Sequence, residues 1–388
     1  MARIYLDARP LSSPFSGVGR YGRELIPELV AQAPGHEFVV IHSGQETEHG
    51  PHAFSGGVRE LVLRGRGTGS LLASAPRLRA LFRRHGTPDL YHSLFHLLPV
   101  GVRRGAIAPA HVIVTLHDLI WVDYSRETER TRLAALWRRH LGSRAIRYAL
   151  QQADHVICDS EATLREAERW ISRASCTPVH LGVGPEFFAD SETLDRAGNH
   201  EPRSPYVAAF GVPKAYKNIG CLVRAFSVLV KDWPTTRLLL IAGDGGVRRD
   251  VERYGLEQSV SVVNSPTDAQ VRNIIRHAEA LVVPSLVEGF GLPVLEAMAL
   301  GTPAVVSRAP ALLEVAGDAA LDFDTTNPAD LAAVLSRLLA DRALRAELAR
   351  RGIERARDFT WRRTAAATLA VYDRVLESSR GGFAPPSS

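Results

Sequence analysis

Cysteine is scarce in this chain. The three present in 388 residues, Cys158, Cys176 and Cys221, are odd in number and show no metal-binding or redox spacing. That excludes a disulfide scaffold and a zinc ribbon, and fits a reducing, cytoplasmic setting. Long apolar runs are missing too. None approaches the roughly eighteen residues of a membrane span, and Met1 to Asp7 reads as a first strand ending on an acid, not as a signal peptide. Lysine is the third scarcity. Lys214, Lys217 and Lys231 stand among 47 basic residues of which the other 44 are arginine, so a lysine at any position is an unusual event. There is no internal repeat, and no low-complexity segment beyond the tail Gly381 to Ser388.

What is present describes a soluble globular chain. Apolar residues make up 45% and charged residues 23%, and the length has room for two or three domains with substantial cores.

One stretch organises the rest, Ala280 to Ser307. Ala280 to Pro284 is a short apolar run of the kind that forms a strand buried on both faces. A turn follows, Glu288-Gly289-Phe290-Gly291, and Pro293 then sits where a first helical residue would. Val294, Leu295, Met298 and Ala299 continue at helical spacing, Gly301 stops the helix, and Pro303 to Ser307 supplies the next strand. Unpaired N–H groups and the positive end of the helix dipole coincide at such a helix start, which suits an anion such as phosphate. Glu288 lies in the loop and Glu296 about one turn into the helix. A carboxylate beside a phosphate is repulsive unless hydroxyls donate to it. The pair therefore points either to a nucleotide sugar, with a ribose diol on one acid and the sugar on the other, or to a surface turn with two solvated glutamates.

The stretch resembles the signature of the retaining glycosyltransferase family 4. The match covers Pro284-Ser285, Glu288 to Pro293, Glu296 to Ala299 and Gly301 to Pro303 without a gap. The resemblance implies an α/β GT-B fold, in which two Rossmann-like doubly wound domains face each other across a cleft. It gives Glu288 the transferred sugar and Glu296 the nucleotide ribose, with Gly289, Phe290, Gly291 and Leu292 cradling the donor.

Three other segments carry the resemblance further. Ser16-Gly17-Val18-Gly19-Arg20-Tyr21, ahead of a helix from about Tyr21 to Ala33, is similar to the family loop that closes over donor phosphates and acceptor. Gly17 and Gly19 would allow close backbone approach, and Arg20 is a further phosphate contact or a plain surface arginine. The apolar strand from His111 ends on His117-Asp118 in a Val-Thr-Leu-His-Asp-Leu pattern, similar to the motif whose histidine faces the sugar. By its chemistry His117 can donate to a sugar hydroxyl, accept a proton, or be a satisfied core histidine; Asp118 is a weaker candidate. In the second half, Gly211 to Asn218 holds two of the three lysines, with Asn218 expected as a helix N-cap. Lys217 matches the family lysine that meets the diphosphate. The family's accompanying arginine is missing, Val212 and Tyr216 standing in its two places, and Lys214 is the available substitute. Asp244, in Gly243-Asp244-Gly245-Gly246, is either a nucleotide neighbour or a turn residue.

The expected domains are 1–190 for the acceptor, a polar linker 191–204, 205–359 for the nucleotide sugar, a helix at 360–379 packing back on the first domain, and a disordered tail 380–388. Asp322-Phe323-Asp324 only superficially resembles the metal-binding aspartates of the other large glycosyltransferase fold. It is read as a turn after the last strand, so neither metal nor cofactor is expected. The function implied is retaining, metal-independent transfer of a hexose, with mannose from GDP-mannose as the leading donor. The acceptor would be a glycan, a lipid-linked or a small-molecule hydroxyl. A UDP-sugar donor with a small-molecule acceptor, and a non-catalytic nucleotide-sugar binder, remain as alternatives.

Charge adds one expectation. Between Arg59 and Arg147 there are 16 arginines against six acids, although the whole chain carries only +5. The helix near Arg130 to Gln152 sets Leu133, Leu136, Trp137, Leu141 and Tyr148 among Arg132, Arg138, Arg139, Arg144 and Arg147. Such a helix either packs its apolar face into the core or lies on an anionic membrane surface, here the inner face. Nucleic acid is not expected, since no aromatic residues alternate with the charges.

Overall fold

The computed structural model describes residues 1–9, 17–44, 58–65, 67–124, 132–171, 175–188, 205–244 and 246–378. They form two compact units, one built from Met1–Asp123, Leu136–Gly182 and the chain from Trp361 onward, the other from 124–135 and Val183–Thr360. The expected linker 191–204 and tail 380–388 lie outside the described residues.

The first unit is a seven-stranded parallel sheet: β1 (Arg3–Asp7), β2 (Glu37–His42), β3 (Arg59–Val62), β4 (Leu90–Ser93), β5 (His111–Leu116), β6 (His155–Cys158) and β7 (Ser175–Pro178). Their order is β3-β2-β1-β4-β5-β6-β7. Every residue of β4 and β6 is buried, as expected of parallel strands covered on both faces. The register pairs Leu116 with Cys158. His117 and Asp159, one residue further on, therefore leave β5 and β6 side by side. Helix α1 (Gly17–Gln32) starts four residues before the expected Tyr21. Gly19 and Gly22 are buried within it. Helices α2 (Arg132–Gln152) and α3 (Glu161–Glu168) precede and follow β6.

The second unit has six parallel strands, β8 (Tyr206–Phe210), β9 (Arg237–Ile241), β10 (Val260–Val263), β11 (Ala280–Val283), β12 (Ala304–Ser307) and β13 (Ala320–Phe323), ordered β10-β9-β8-β11-β12-β13. Asp322 and Phe323 thus belong to the last strand and only Asp324 to the turn after it. Asp322 accepts from Arg308 at 2.5 Å, and Asp324 accepts from Thr326 N–H and Oγ1. Helices α4 (Ile219–Asp232), α5 (Leu292–Ala299) and α6 (Arg342–Ala356) belong to this unit. Counted from its own first strand, each sheet begins 3-2-1-4-5-6. The strand order reverses between β1 and β4 in one unit and between β8 and β11 in the other, where doubly wound sheets bind ligands at the carboxyl ends of the strands.

The last helix among the described residues, α7 (Trp361–Glu377), returns to the first unit. Tyr372 on it is fully buried, and its hydroxyl lies 2.6 Å from His92 Nδ1 on β4.

Candidate active site

In the second unit the switch point brings the loop after β8 against the loop after β11. The backbone sets the approach. A Cβ on Gly211 would lie 1.8 Å from the Gly243 carbonyl oxygen, so the loops following β8 and β9 touch backbone to backbone. Beyond Gly211 the chain makes a 3₁₀ turn, Ala215–Lys217, and Leu286 N–H donates to the Tyr216 carbonyl at 2.7 Å. Lys217 Nζ then reaches Glu288 Oε1 at 2.6 Å, and Ser285 Oγ reaches the same oxygen at 2.6 Å. Tyr216, in one of the places expected of an arginine, lies beside the lysine, its ring centroid 5.4 Å from Nζ. Lys214 is exposed.

Asn218 does not cap α4. It sits in the left-handed region at φ 54°, which turns its side chain away from the helix start, and its Nδ2 donates to the Thr325 carbonyl at 3.1 Å. Short polar side chains tolerate that conformation best.

Gly291 holds the N-cap position of α5 at φ 124°. That backbone disfavours other residues there, and a Cβ would also make Leu312 yield, its Cδ2 lying 2.8 Å away. Leu292 and Pro293 open the helix. Gly301, at φ 75°, ends it: its N–H donates to Met298 O and Thr302 N–H to Ala297 O, a Schellman closure. Both candidate glutamates are sheltered. The Glu288 side chain is 12% exposed and Glu296 is 4% exposed, which removes the solvated-turn alternative, because carboxylates are withdrawn from water only where partners meet them. Gly289 and Phe290 complete the turn, and Phe290 packs edge-on against Phe359 at 6.0 Å. Asp244 is exposed and accepts from Gly246 N–H at 2.9 Å, holding its own turn.

The first unit brings together a second set. His117 is 5% exposed; its Nδ1 lies 2.7 Å from Asp159 Oδ2 and its Nε2 3.0 Å from the Leu94 carbonyl oxygen. Burial pushes its pKa down, but the Asp159 charge and hydrogen bond and the Leu94 carbonyl outweigh that and leave it above the ordinary histidine value. His92 goes the other way: burial, then the charge of His117, lowers it to about 3. Its Nε2 is 2.8 Å from Thr115 Oγ1, which is 3.1 Å from the Tyr21 hydroxyl, so β4, β5, α1 and α7 share one buried polar chain. Asp118 Oδ1 accepts from Ile120 N–H at 2.9 Å and starts a short helix. Gly17 is exposed, Gly19 buried and Arg20 half-buried in the first turn of α1.

Asp159, Ser285, Thr115 and Tyr372 were not candidates from sequence. Only Asp159 left a usable signal: it follows β6 as His117 follows β5, and parallel neighbours in register place such residues together.

Comparison with known proteins agrees with this architecture. A family model described as Glycosyltransferase Family 4 matches residues 15–187, and one described as Glycosyl transferases group 1 matches residues 190–358. The chain is 31% identical to the MMP alpha-(1->4)-mannosyltransferase of Mycolicibacterium hassiacum, over 77% of this chain and 73% of that protein. It is 24% identical to O-antigen chain mannosyltransferase B of Escherichia coli, over 95% of this chain and 99% of that protein. Among solved structures it shares the fold of a sucrose-phosphate synthase from Thermosynechococcus elongatus, with a TM-score of 0.78 at 23% identity, over 97% of this chain and 100% of that one.

Proposed function

The chain belongs to glycosyltransferase family 4, and from that premise we propose that it is a retaining, metal-independent mannosyltransferase using GDP-mannose. One observation carries the reading: a lysine, two sheltered carboxylates and a helix N-terminus converge at the switch point of one unit. The diphosphate is taken by Lys217, with Lys214 at the rim, and by the N–H groups from Gly289 to Leu292 at the positive end of α5. Glu296 accepts from the ribose hydroxyls and Glu288 from the sugar. Lys217 and the helix terminus supply positive charge on the leaving group without a metal. Lys217 Nζ lies 2.6 Å from Glu288 Oε1, so donor binding exchanges a carboxylate for a diphosphate on the same ammonium. On the sugar and acceptor side stand Gly17, Gly19 and Arg20 of α1 and His117, whose ring nitrogens are both held by Asp159 and Leu94, so that it acts through charge and not through a free N–H. Departure of the diphosphate and attack by the acceptor hydroxyl occur on one face of the sugar, the leaving phosphate taking the hydroxyl proton. Mannose is favoured because both relatives above are named mannosyltransferases.

A turnover panel of GDP-mannose, UDP-glucose and UDP-galactose, run in excess chelator, tests this. Transfer or slow hydrolysis of GDP-mannose above the UDP-sugars is expected. Loss of activity in chelator would overturn the metal-free reading, and binding without turnover of any donor would leave a nucleotide-sugar binder.

The acceptor side is proposed to dock on anionic membrane. On α2, Ile146, Ala149 and Leu150 enter the core, while Leu136 and Leu141 remain 58% and 55% exposed beside exposed Arg139, His140 and Arg144. Among the described residues none of these three basic groups has an ion pair, whereas Arg350 and Arg351 on α6 are matched by Glu347. The side chains of Arg132, Leu133, Trp137 and Arg138 lie outside the described ones. Each basic residue near an anionic surface contributes about 1 kcal/mol. Sedimentation with phosphatidylglycerol vesicles, and not with phosphatidylcholine vesicles, is expected at low salt and should fade as salt rises. Indifference to lipid charge would leave a soluble acceptor.

A further inference from the structure

We propose that Asp159 is the positioning residue for His117: it holds the ring with both nitrogens protonated, as a fixed cation that donates and cannot act as the base of the transfer. The inference rests on the proposed function above for the relevance of His117 to transfer, but its geometry stands apart from that reading.

Both groups facing the ring nitrogens are acceptors. Asp159 Oδ2 lies 2.7 Å from Nδ1, and the Leu94 carbonyl oxygen, which can only accept, lies 3.0 Å from Nε2. A neutral imidazole has one N–H and one lone pair, so either tautomer would press a lone pair against an acceptor. With Asp159 as a carboxylate, only the imidazolium satisfies both contacts; the neutral alternative moves the shared proton onto Oδ2, which would then donate to Nδ1. The carboxylate depends on it in return. Asp159 is 3% exposed, and its Oδ1 has no hydrogen-bond partner among the described residues. A buried carboxylate so sparingly solvated is tenable beside a charged partner and costly beside a neutral one.

The surroundings agree from every side. Tyr21 on α1 stands perpendicular to the ring at 4.9 Å, its own ionisation pushed far up by burial and by Asp159. His92 on β4 and His96 after it are driven down, first by burial and then by the charge of His117. Asp118, on the segment of His117 itself, adds a smaller upward pull. Three histidines cluster here, and it is His117 that Asp159 meets. Thr163 Oγ1 on α3 reaches the His117 carbonyl at 3.5 Å, and Thr163 N–H caps onto Ser160 Oγ at 3.0 Å. The backbone on both sides of the pair is thus tied. With both N–H groups committed, the acceptor's proton must leave by another route, which the departing phosphate supplies.

Because the folded pKa of His117 is raised, the stability this pair contributes is complete below the ordinary histidine pKa and is lost as pH rises through the raised value.

The test has two arms. In the wild-type protein, the ¹⁵N shifts of the His117 ring, assigned by their loss in His117→Gln, should show both nitrogens protonated at pH 7. In Asp159→Asn the ring should be neutral at that pH. In the second arm, the basic limb of the kcat profile should shift to lower pH in Asp159→Asn, making the variant about tenfold or more slower at pH 8 relative to its own rate at pH 6. A neutral His117 in the wild type overturns the proposal even if Asp159→Asn fails to fold. A charged ring with an unmoved kcat profile in Asp159→Asn overturns the role in transfer. If no donor turns over at all, the proposed function fails while the ring shifts still decide the pairing.

Discussion

Glu288→Ala is expected to slow turnover by on the order of 10²-fold, the loss that follows misplacement of a reacting group, while leaving GDP affinity unchanged or raised. The asymmetry comes from Lys217. Its ammonium is held 2.6 Å from Glu288 Oε1; removing the carboxylate frees it for the diphosphate and leaves the ribose contact intact. Glu296→Ala should do the opposite. It deletes a charged hydrogen bond to the nucleotide, roughly 1.5–3 kcal/mol, and so weakens GDP binding about ten- to a hundred-fold. Calorimetry with GDP and steady-state kinetics on the two variants separate the roles. If Glu288→Ala lost GDP affinity as severely as turnover, or Glu296→Ala bound GDP normally, the assignment of sugar and ribose to these acids would be wrong.

Gly211→Ala is expected to destabilise the second unit by roughly 3 kcal/mol, at the upper end for overpacking by one methyl group. The added Cβ would lie 1.8 Å from the Gly243 carbonyl oxygen and 2.7 Å from its carbonyl carbon. No flexible side chain can yield there, because both walls are backbone, and Gly243 is itself fixed at φ 139°. The loops after β8 and β9 must part, and the first of them carries Lys214 and Lys217. Denaturant unfolding should show a lower midpoint, and nucleotide affinity should fall with it. An unchanged midpoint would mean that the two loops separate freely.

What could be read from sequence was local. β11, its glycine turn, α5 and β12 lie in one unbroken stretch, so the strand pattern, the Pro293 start and the Gly301 stop were all visible together, as were both glutamates. Lys217 stood out by the rarity of lysine. Its contact with Glu288 did not, since 71 residues separate them and only the strand order β8-β11 makes them neighbours. The polar chain through Tyr21, His92, Thr115 and Tyr372 draws on four elements and leaves no periodicity in any of them. Asn218 shows a different limit: residue type and position both suit an N-cap, and a positive φ sends the amide elsewhere. The glycines at 17 and 19 read equally as a ligand loop or a helix start, and the structure puts both in the first turn of α1, Gly17 exposed and Gly19 buried.

The return of α7 fixes an order of events during synthesis. His92 and Tyr372 are hydrogen-bonded across 280 residues of sequence, so the first unit cannot finish until the chain through Tyr372 has left the ribosome. At roughly 5–20 residues per second, the strand carrying His92 waits about a quarter of a minute to a minute for its partner helix. The second unit, Val183–Thr360 with the short segment 124–135, emerges entire before α7 does. The half translated first is therefore the half completed last. During that interval His92 and Thr115 lack the helix that covers them and are open to whatever binds nascent chains.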